Sequence, residues 1–243
     1  MCVIFIDRFD KIYYFNLSGD LDKNISVLRK MFLSTVHDHV MQDLFNFESF
    51  TNQTLKRLSP QKLLALLYFN ASINSLTKTE MQGLWSLLQQ GEYFIMKLLQ
   101  DFRHIPHIYG TCGQFYALEK VKTLDDYIGV VLLSNSLTWR TCVEIALETM
   151  DLVRELSSKT GYGPWQHCDI QPSNFGLDSN GVIKAIDVDL MFTDEKIVEI
   201  LRQQDVNCTM DTDCEFFDCA SQCNVRTNKC LAKRVTNNLQ VLY

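Results

Sequence analysis

The sequence predicts an α+β fold that ends in a disulfide-rich segment, and three observations carry that expectation. Apolar residues recur every three or four positions in several stretches between residues 26 and 156, the period of an amphipathic helix. Elsewhere, short runs rich in Ile, Val, Phe and Tyr flank glycine-bearing turns, the mark of paired strands. Five of the nine cysteines, Cys208, Cys214, Cys219, Cys223 and Cys230, fall in one short block, which reads as a disulfide knot.

In chain order, Val3–Ile6 and Ile12–Phe15 read as two strands around a polar turn. Val27, Leu28, Met31, Phe32 and Val36 share helical spacing, as do Leu63, Leu64, Leu66 and Leu67 after Ser59-Pro60. From Leu84 to Phe102 one helix is expected, with Leu84, Leu87, Leu88, Ile95, Leu98 and Leu99 on one stripe and Glu92 at its edge. Ile105–Tyr109 and Gln114–Leu118 then flank Gly110-Thr111-Cys112-Gly113 as a hairpin. Trp139, Val143, Ala146, Leu147, Met150 and Val153 mark a further amphipathic helix over Thr138–Leu156. After the turn Gly161-Tyr162-Gly163-Pro164 come a loop, a short strand and a second hairpin, whose turn is Asn180-Gly181.

With 47% hydrophobic residues over 243 positions, the chain can bury a substantial core. A net charge of −6 without any Lys/Arg run gives no electrostatic reason to expect nucleic acid or an anionic membrane as partner. N-x-S/T sequons occur at Asn16, Asn24, Asn52, Asn70 and Asn207. Together with the cysteine block they favour the secretory pathway. Asn207 is the weakest acceptor, because Cys208 sits inside its sequon. Met1–Ile6 is too short an apolar run for a signal peptide, so the expectation is a cytosolic chain or one whose beginning is missing.

The polar residues between the last predicted helix and the second hairpin carry chemistry. Phosphoryl transfer needs ligands for the metal ions on the phosphates and a carboxylate beside the acceptor hydroxyl. In the pattern H-x-D-x-x-x-x-N the Asp orients the hydroxyl and the Asn binds metal, and a later Asp is the principal metal ligand. Here these are His167, Asp169, Asn174 and Asp187. The intervening hairpin would return Asp187 beside Asn174, so that oxygen atoms of both could reach one hard cation. Upstream, Glu92 matches the residue that pairs with a phosphate-binding Lys, and Glu119 falls where a kinase hinge meets adenine. Each residue alone would more often be a cap or a solvated carboxylate. Their joint spacing is what favours an ATP- and Mg- or Mn-dependent, protein-kinase-like site.

The departures are equally specific. Cys168 replaces the usual Arg, so no arginine beside the base awaits a phosphorylated activation loop. Gln171 replaces a common Lys, and Asp187-Val188-Asp189 replaces D-F-G, adding Asp189 as a further candidate metal ligand or as an impediment. There is no G-x-G-x-x-G in the sequence and no A-P-E after Asp187. Lys11 and Lys30 are the lysines to consider for the phosphate contact, and neither lies in a V-A-I-K-like strand.

The stretches Trp85-Ser86-Leu87-Leu88-Gln89-Gln90-Gly91-Glu92-Tyr93, Gly110–Glu119 and Asp211–Cys219, with the spacing C-x5-C-x4-C-x3-C-x6-C, resemble the divergent protein kinase domain 1 family, cysteine-rich kinase-like proteins of the endoplasmic reticulum. The resemblance runs from about residue 76 to about residue 240. It implies an endoplasmic-reticulum location, an N-terminal membrane anchor and an EF-hand-like insertion. No anchor is visible in this sequence, so membrane association is expected only through one lying outside it. With Glu80 as twelfth position of a calcium loop, Phe69, Ala71 and Ile73 stand where oxygen ligands belong. Shifting by one supplies Asn70, Ser72 and Asn74 but puts Ser75 at the glycine position and Met81 at the twelfth. No calcium is therefore expected over 69–81.

The expected organisation is a two-lobed kinase-like fold: residues 1–119 as an incomplete N-lobe, 120–200 as a truncated C-lobe with the catalytic and metal-binding loops, and 201–243 as the cysteine-rich segment. A fragment or a divergent short isoform is expected. Five clustered cysteines leave one to be free or bonded elsewhere, with Cys112, Cys142 or a cysteine beyond the chain's end as candidates. Zinc on Cys214, Cys219 and Cys223 is the rival reading. Asp211, Asp213, Glu215 and Asp218 read as a solvated acidic face. Two functions remain open: an enzyme phosphorylating a protein or glycan hydroxyl, or a glycosylated, disulfide-braced pseudokinase that binds and transfers nothing.

Overall fold

The structure, a computed structural model, describes residues 25–44, 59–68, 72–133, 139–158, 163–203 and 207–238. The strands expected within 3–15, Lys11, and Asn16, Asn24, Asn52 and Asn70 lie outside the described residues, as do Phe69–Ala71 of the expected insertion. Helices and short antiparallel sheets alternate along the rest, so the mixed α and β character is as the sequence predicts.

Four helices build the first part of the core. In α1 (Ile25–Leu44), Leu28, Phe32, Val36 and Val40 are buried four residues apart, while Val27 and Met31 are exposed. α2 (Pro60–Leu67) starts on Ser59, whose hydroxyl accepts from the Lys62 amide, with Pro60 in the first helical turn. α3 (Lys78–Leu88) opens with a capping box: Thr77 Oγ1 accepts from the Glu80 amide, and Glu80 Oε2 accepts from the Thr77 amide. The bonds that the Glu80 carboxylate accepts from the Thr77 amide and hydroxyl hold it below its usual value.

The single helix expected from Leu84 to Phe102 is two. α3 ends at Leu88, Gln90 adopts extended backbone, and α4 restarts at Gly91 and runs to Leu98. The break follows from Gly91, a poor helix former, and from the Gln90 side chain, whose Nε2 donates to Ser86 O and, at 2.9 Å, to Gln114 O in the neighbouring hairpin. α4 is buried from Tyr93 to Leu98 because α2 and α3 both pack on it, and Tyr93 Oη donates to Leu67 O at 2.6 Å.

β1 (Ile108–Cys112) and β2 (Phe115–Leu118) form the expected hairpin, but its turn is Gly113-Gln114 rather than 110–113. Gly113 has φ +60, at the position where two-residue hairpins require glycine. A Cβ on Gly83 of α3 would stand 3.1 Å from Gly113 Cα, so helix and turn meet glycine to glycine.

β3 (Lys122–Thr123) leads into α5 (Leu124–Leu133), and α6 (Trp139–Ser157) follows. The stripe expected to bury α6 does not. Leu152 and Leu156 are buried, whereas Trp139 is 84% exposed and Leu147 and Met150 also face outward. Polar anchors set this orientation: the Glu155 carboxylate accepts from the amides of Arg103 and His104 at 2.8 and 3.0 Å, and Arg103 pairs with Glu148.

The remaining strands are short and antiparallel. β4 (Trp165–His167) pairs with β7 (Met191–Thr193), and β5 (Phe175–Leu177) sits between β3 and β6 (Ile183–Ala185). α7 (Asp194–Gln203) packs on β10 (Lys229–Arg234), which with β9 (Cys219–Asn224) and β8 (Glu215–Phe216) makes the cysteine-rich sheet.

Three disulfides brace that sheet: Cys208–Cys223, Cys214–Cys230 and Cys168–Cys219. The outside partner of the cluster is therefore Cys168, not Cys112 or Cys142, which are free and exposed. The sulfurs of Cys208, Cys214 and Cys230 lie within 4.8 Å of one another, but each is in a disulfide and offers no thiolate, which removes the zinc reading.

Candidate functional site

Two backbone pairings assemble the site. His167 ends β4 opposite Met191, and the Cys168 amide donates to Leu190 O at 2.9 Å, so the segment after Asp187 lies against the segment before Asp169. Pro172–Asn174 form one 3-10 turn, after which the β5–β6 hairpin doubles back. Gly181 supplies φ +80 in that turn, and Asp178 Oδ1 accepts from the amides of Asn180 and Val182. Partial burial pushes the Asp178 carboxyl up, but these bonds and the Lys184 charge prevail and hold it below its usual value. The hairpin returns the Ile186 and Asp187 amides to Asn174 O, at 2.9 and 3.4 Å. Asp169, Asn174 and Asp187 are thus brought to one place.

The side chains are ordered there. Asn174, 5% exposed, donates from Nδ2 to Asp169 Oδ2 at 2.7 Å and to Asp169 O at 3.0 Å. Two acceptors on one side of the amide fix which end is nitrogen. Asn174 Oδ1 therefore faces the other way, where it accepts from Ser173 Oγ at 3.3 Å. Gln171, standing in place of the common Lys, donates from Nε2 to the same Asp169 Oδ2 at 2.9 Å.

His167 is buried and makes two bonds of opposite sense. Nε2 lies 3.0 Å from Asp187 O, and Nδ1 accepts from the Asp169 amide at 3.2 Å. A carbonyl can only accept and an amide N–H only donate, so the ring is neutral with its proton on Nε2. Burial pushes its pKa down and outweighs the opposing pull of the Asp187 carbonyl and of the Asp169, Asp187 and Asp218 carboxylates.

Two residues that sequence reasoning did not place at the site, Asn238 and Asp218, support this loop together with one disulfide. Asn238, 3% exposed, accepts from the His167 amide at 3.0 Å and donates to Trp165 O at 2.9 Å. Asp218 Oδ2 accepts from the Ile170 amide at 2.6 Å, and the Asp218 amide donates to Cys168 O at 2.8 Å. Cys168 is tied to Cys219. The acidic block is solvated as expected, with Asp211, Glu215 and Asp218 exposed, and three of its carboxylates also accept backbone amides: Asp218 as above, Asp211 from Cys223 and Asp213 from Thr209 and Met210. The Thr209 and Met210 bonds hold Asp213 below its usual value. No local pattern marked Asn238 or Asp218 for this, since their partners lie 71 and 48 residues away; only the unpaired fifth cysteine pointed outward.

The other predicted site residues are placed as follows. Glu92 lies in the first turn of α4 and accepts from Tyr116 Oη at 2.9 Å. The Glu119 carboxylate accepts from the His107 amide at 3.1 Å and lies 3.3 Å from Lys184 Nζ. Asp189 is exposed beside the buried Val188 and lines a recess of about 200 Å3 with Gly91, Phe94, Trp165 and Lys196. Lys30 is on the exposed side of α1.

Asn174 Oδ1 and the Asp187 carboxylate are hard oxygen donors, the set that Mg2+ or Mn2+ takes, and they suit neither a soft metal nor a site needing imidazole. A protein-family model described as the protein-kinase domain of FAM69 matches residues 84–242, about two thirds of the chain. No solved structure matches it.

Proposed function

Since the chain belongs to the family of the FAM69 protein-kinase domain, we propose that it is a secretory-pathway phosphotransferase that moves the γ-phosphoryl group of ATP to a protein or glycan hydroxyl. The observation that carries the reading is the convergence of Asp169, Asn174 and Asp187, with Asn174 bridging base and metal position. Asp169 orients the acceptor hydroxyl and takes its proton as the new O–P bond forms and the bond between the γ-phosphorus and the ADP oxygen breaks. Asn174 and Asp187, with Asp189 as a further candidate, would hold Mg2+ or Mn2+, which neutralises phosphate charge. Glu92 and Glu119 serve the nucleotide side, in a two-lobed arrangement. The three disulfides and the sequons support an oxidising, glycosylating compartment such as the endoplasmic-reticulum lumen.

The test is the melting temperature of the full chain with ATP and Mg2+ or Mn2+. A rise that Asp187→Ala abolishes supports the reading, and an unchanged value in the unmutated protein sinks it. A pseudokinase scaffold is the second reading. It is favoured by the lack of G-x-G-x-x-G and by Asp189 in the D-F-G glycine position.

A further inference from the structure

The loop that carries Asp169 is held from outside by the turn joining β8 to β9. Phe216 faces Cys219 across this hairpin, so Phe217-Asp218 is its two-residue tip. Three links run from that tip to the residues flanking Asp169. Cys219 is bonded to Cys168, the Asp218 amide donates to Cys168 O at 2.8 Å, and Asp218 Oδ2 accepts from the Ile170 amide at 2.6 Å. The residues before and after Asp169 are therefore both pinned, and its own amide is bound to His167 Nδ1. Phe217 takes φ 50, a left-handed conformation that costs a bulky residue.

We propose that Asp218 is a positioning residue for phosphoryl transfer. It fixes the backbone after Asp169 while the Cys168–Cys219 disulfide fixes the backbone before it, so the base is preassembled without an activation-loop phosphate. The proposal rests on Asp169 being the hydroxyl-orienting base. Its physical content is that an amide donating to a carboxylate makes a charge-assisted bond, and that small misplacements of a reacting group lose large factors in rate. Where a kinase arginine would wait for a phosphate, Cys168 is covalently tied to a sheet. The position of the base then depends on oxidation of that pair and on one carboxylate.

The experiment measures ADP release from ATP with Mn2+ and water as acceptor, using the full chain. Turnover is expressed per nucleotide-binding site counted by calorimetry, which removes the effect of unfolded protein. Asp218→Ala is expected to lower kcat per site by about 10- to 100-fold with KM for ATP unchanged. Asp218→Asn, whose amide oxygen can still accept from the Ile170 amide, should recover most of that loss. Amide exchange across 168–171 should quicken in the alanine variant and not in the asparagine one. Should Asp218→Ala not fold, Cys168→Ser/Cys219→Ser is read by the same per-site assay and should show a comparable loss. Per-site turnover within twofold of the unmutated chain, in whichever variant is read, overturns the proposal while leaving the kinase reading intact. If the unmutated chain releases no ADP, the phosphotransferase reading falls and the proposal with it, whether or not ATP binds.

Discussion

Asn174 Nδ2 lies 2.7 Å from Asp169 Oδ2, and the backbone oxygen of the same asparagine receives the Ile186 amide at 2.9 Å. One side chain thus braces Asp169 while its main chain anchors the strand that delivers Asp187. Its amide oxygen, turned from Asp169, accepts from Ser173 Oγ and keeps a second lone pair, which the proposed metal would take.

Replacing Asn174 should therefore strike base and metal together. Asn174→Ala is expected to lower phosphoryl transfer by roughly 100-fold or more. It should also raise the Mn2+ concentration needed for half-maximal rate. Steady-state kinetics across a metal titration checks both, and an unchanged metal requirement would remove Asn174 from the ligand set.

Asp187→Ala should erase nucleotide stabilisation. At ATP-metal one hundred times its dissociation constant, binding adds about 2.7 kcal/mol, a rise in Tm of several degrees for a domain of this size. A thermal scan of both proteins with and without ATP and Mg2+ decides the matter; an equal rise in the variant would place the metal elsewhere.

His167 makes stability depend on acid. Its imidazole binds a proton less readily folded than unfolded, so the unfolded chain holds more protons at mildly acidic pH. The contribution is present above about pH 6.5 and is lost as pH falls through that value toward the folded pKa. Urea midpoints from pH 8 to pH 5 should decline, and His167→Gln should decline less steeply.

The Cys214–Cys230 bond closes a loop with a sequence separation of 16. Substituting serine for both is expected to destabilise the cysteine-rich sheet by about 3 kcal/mol. Because Cys219 opens β9 of that sheet and Asp218 sits in the turn before it, chemical denaturation followed by amide exchange should show loosening that reaches residues 168–171.

The juxtaposition of Asp169, Asn174 and Asp187 was legible because its logic is local. H-x-D-x-x-x-x-N and the following Asp187 are spaced by one 3-10 turn and one tight hairpin, and Asn180-Gly181 announces that hairpin in the sequence itself. The two-helix break at Gln90 was not legible. The apolar stripe continues across it, and the interruption depends on Gln90 reaching Gln114 in another element. Nor was the buried face of α6, where Glu148 and Glu155 dock on Arg103 and His104 and turn Trp139 and Leu147 outward.

The sequence by itself determined the mixed α and β character, the positions of Asp169, Asn174 and Asp187, and the presence of a disulfide-rich end, since periodicity, turn chemistry and residue type act over a few neighbours. Only the tertiary structure decided that Cys168 pairs with Cys219 across 51 residues and that Asp218 and Asn238 hold the loop around Asp169. A carboxylate, an amide or a thiol carries no mark of its partner until folding brings the two within bonding distance.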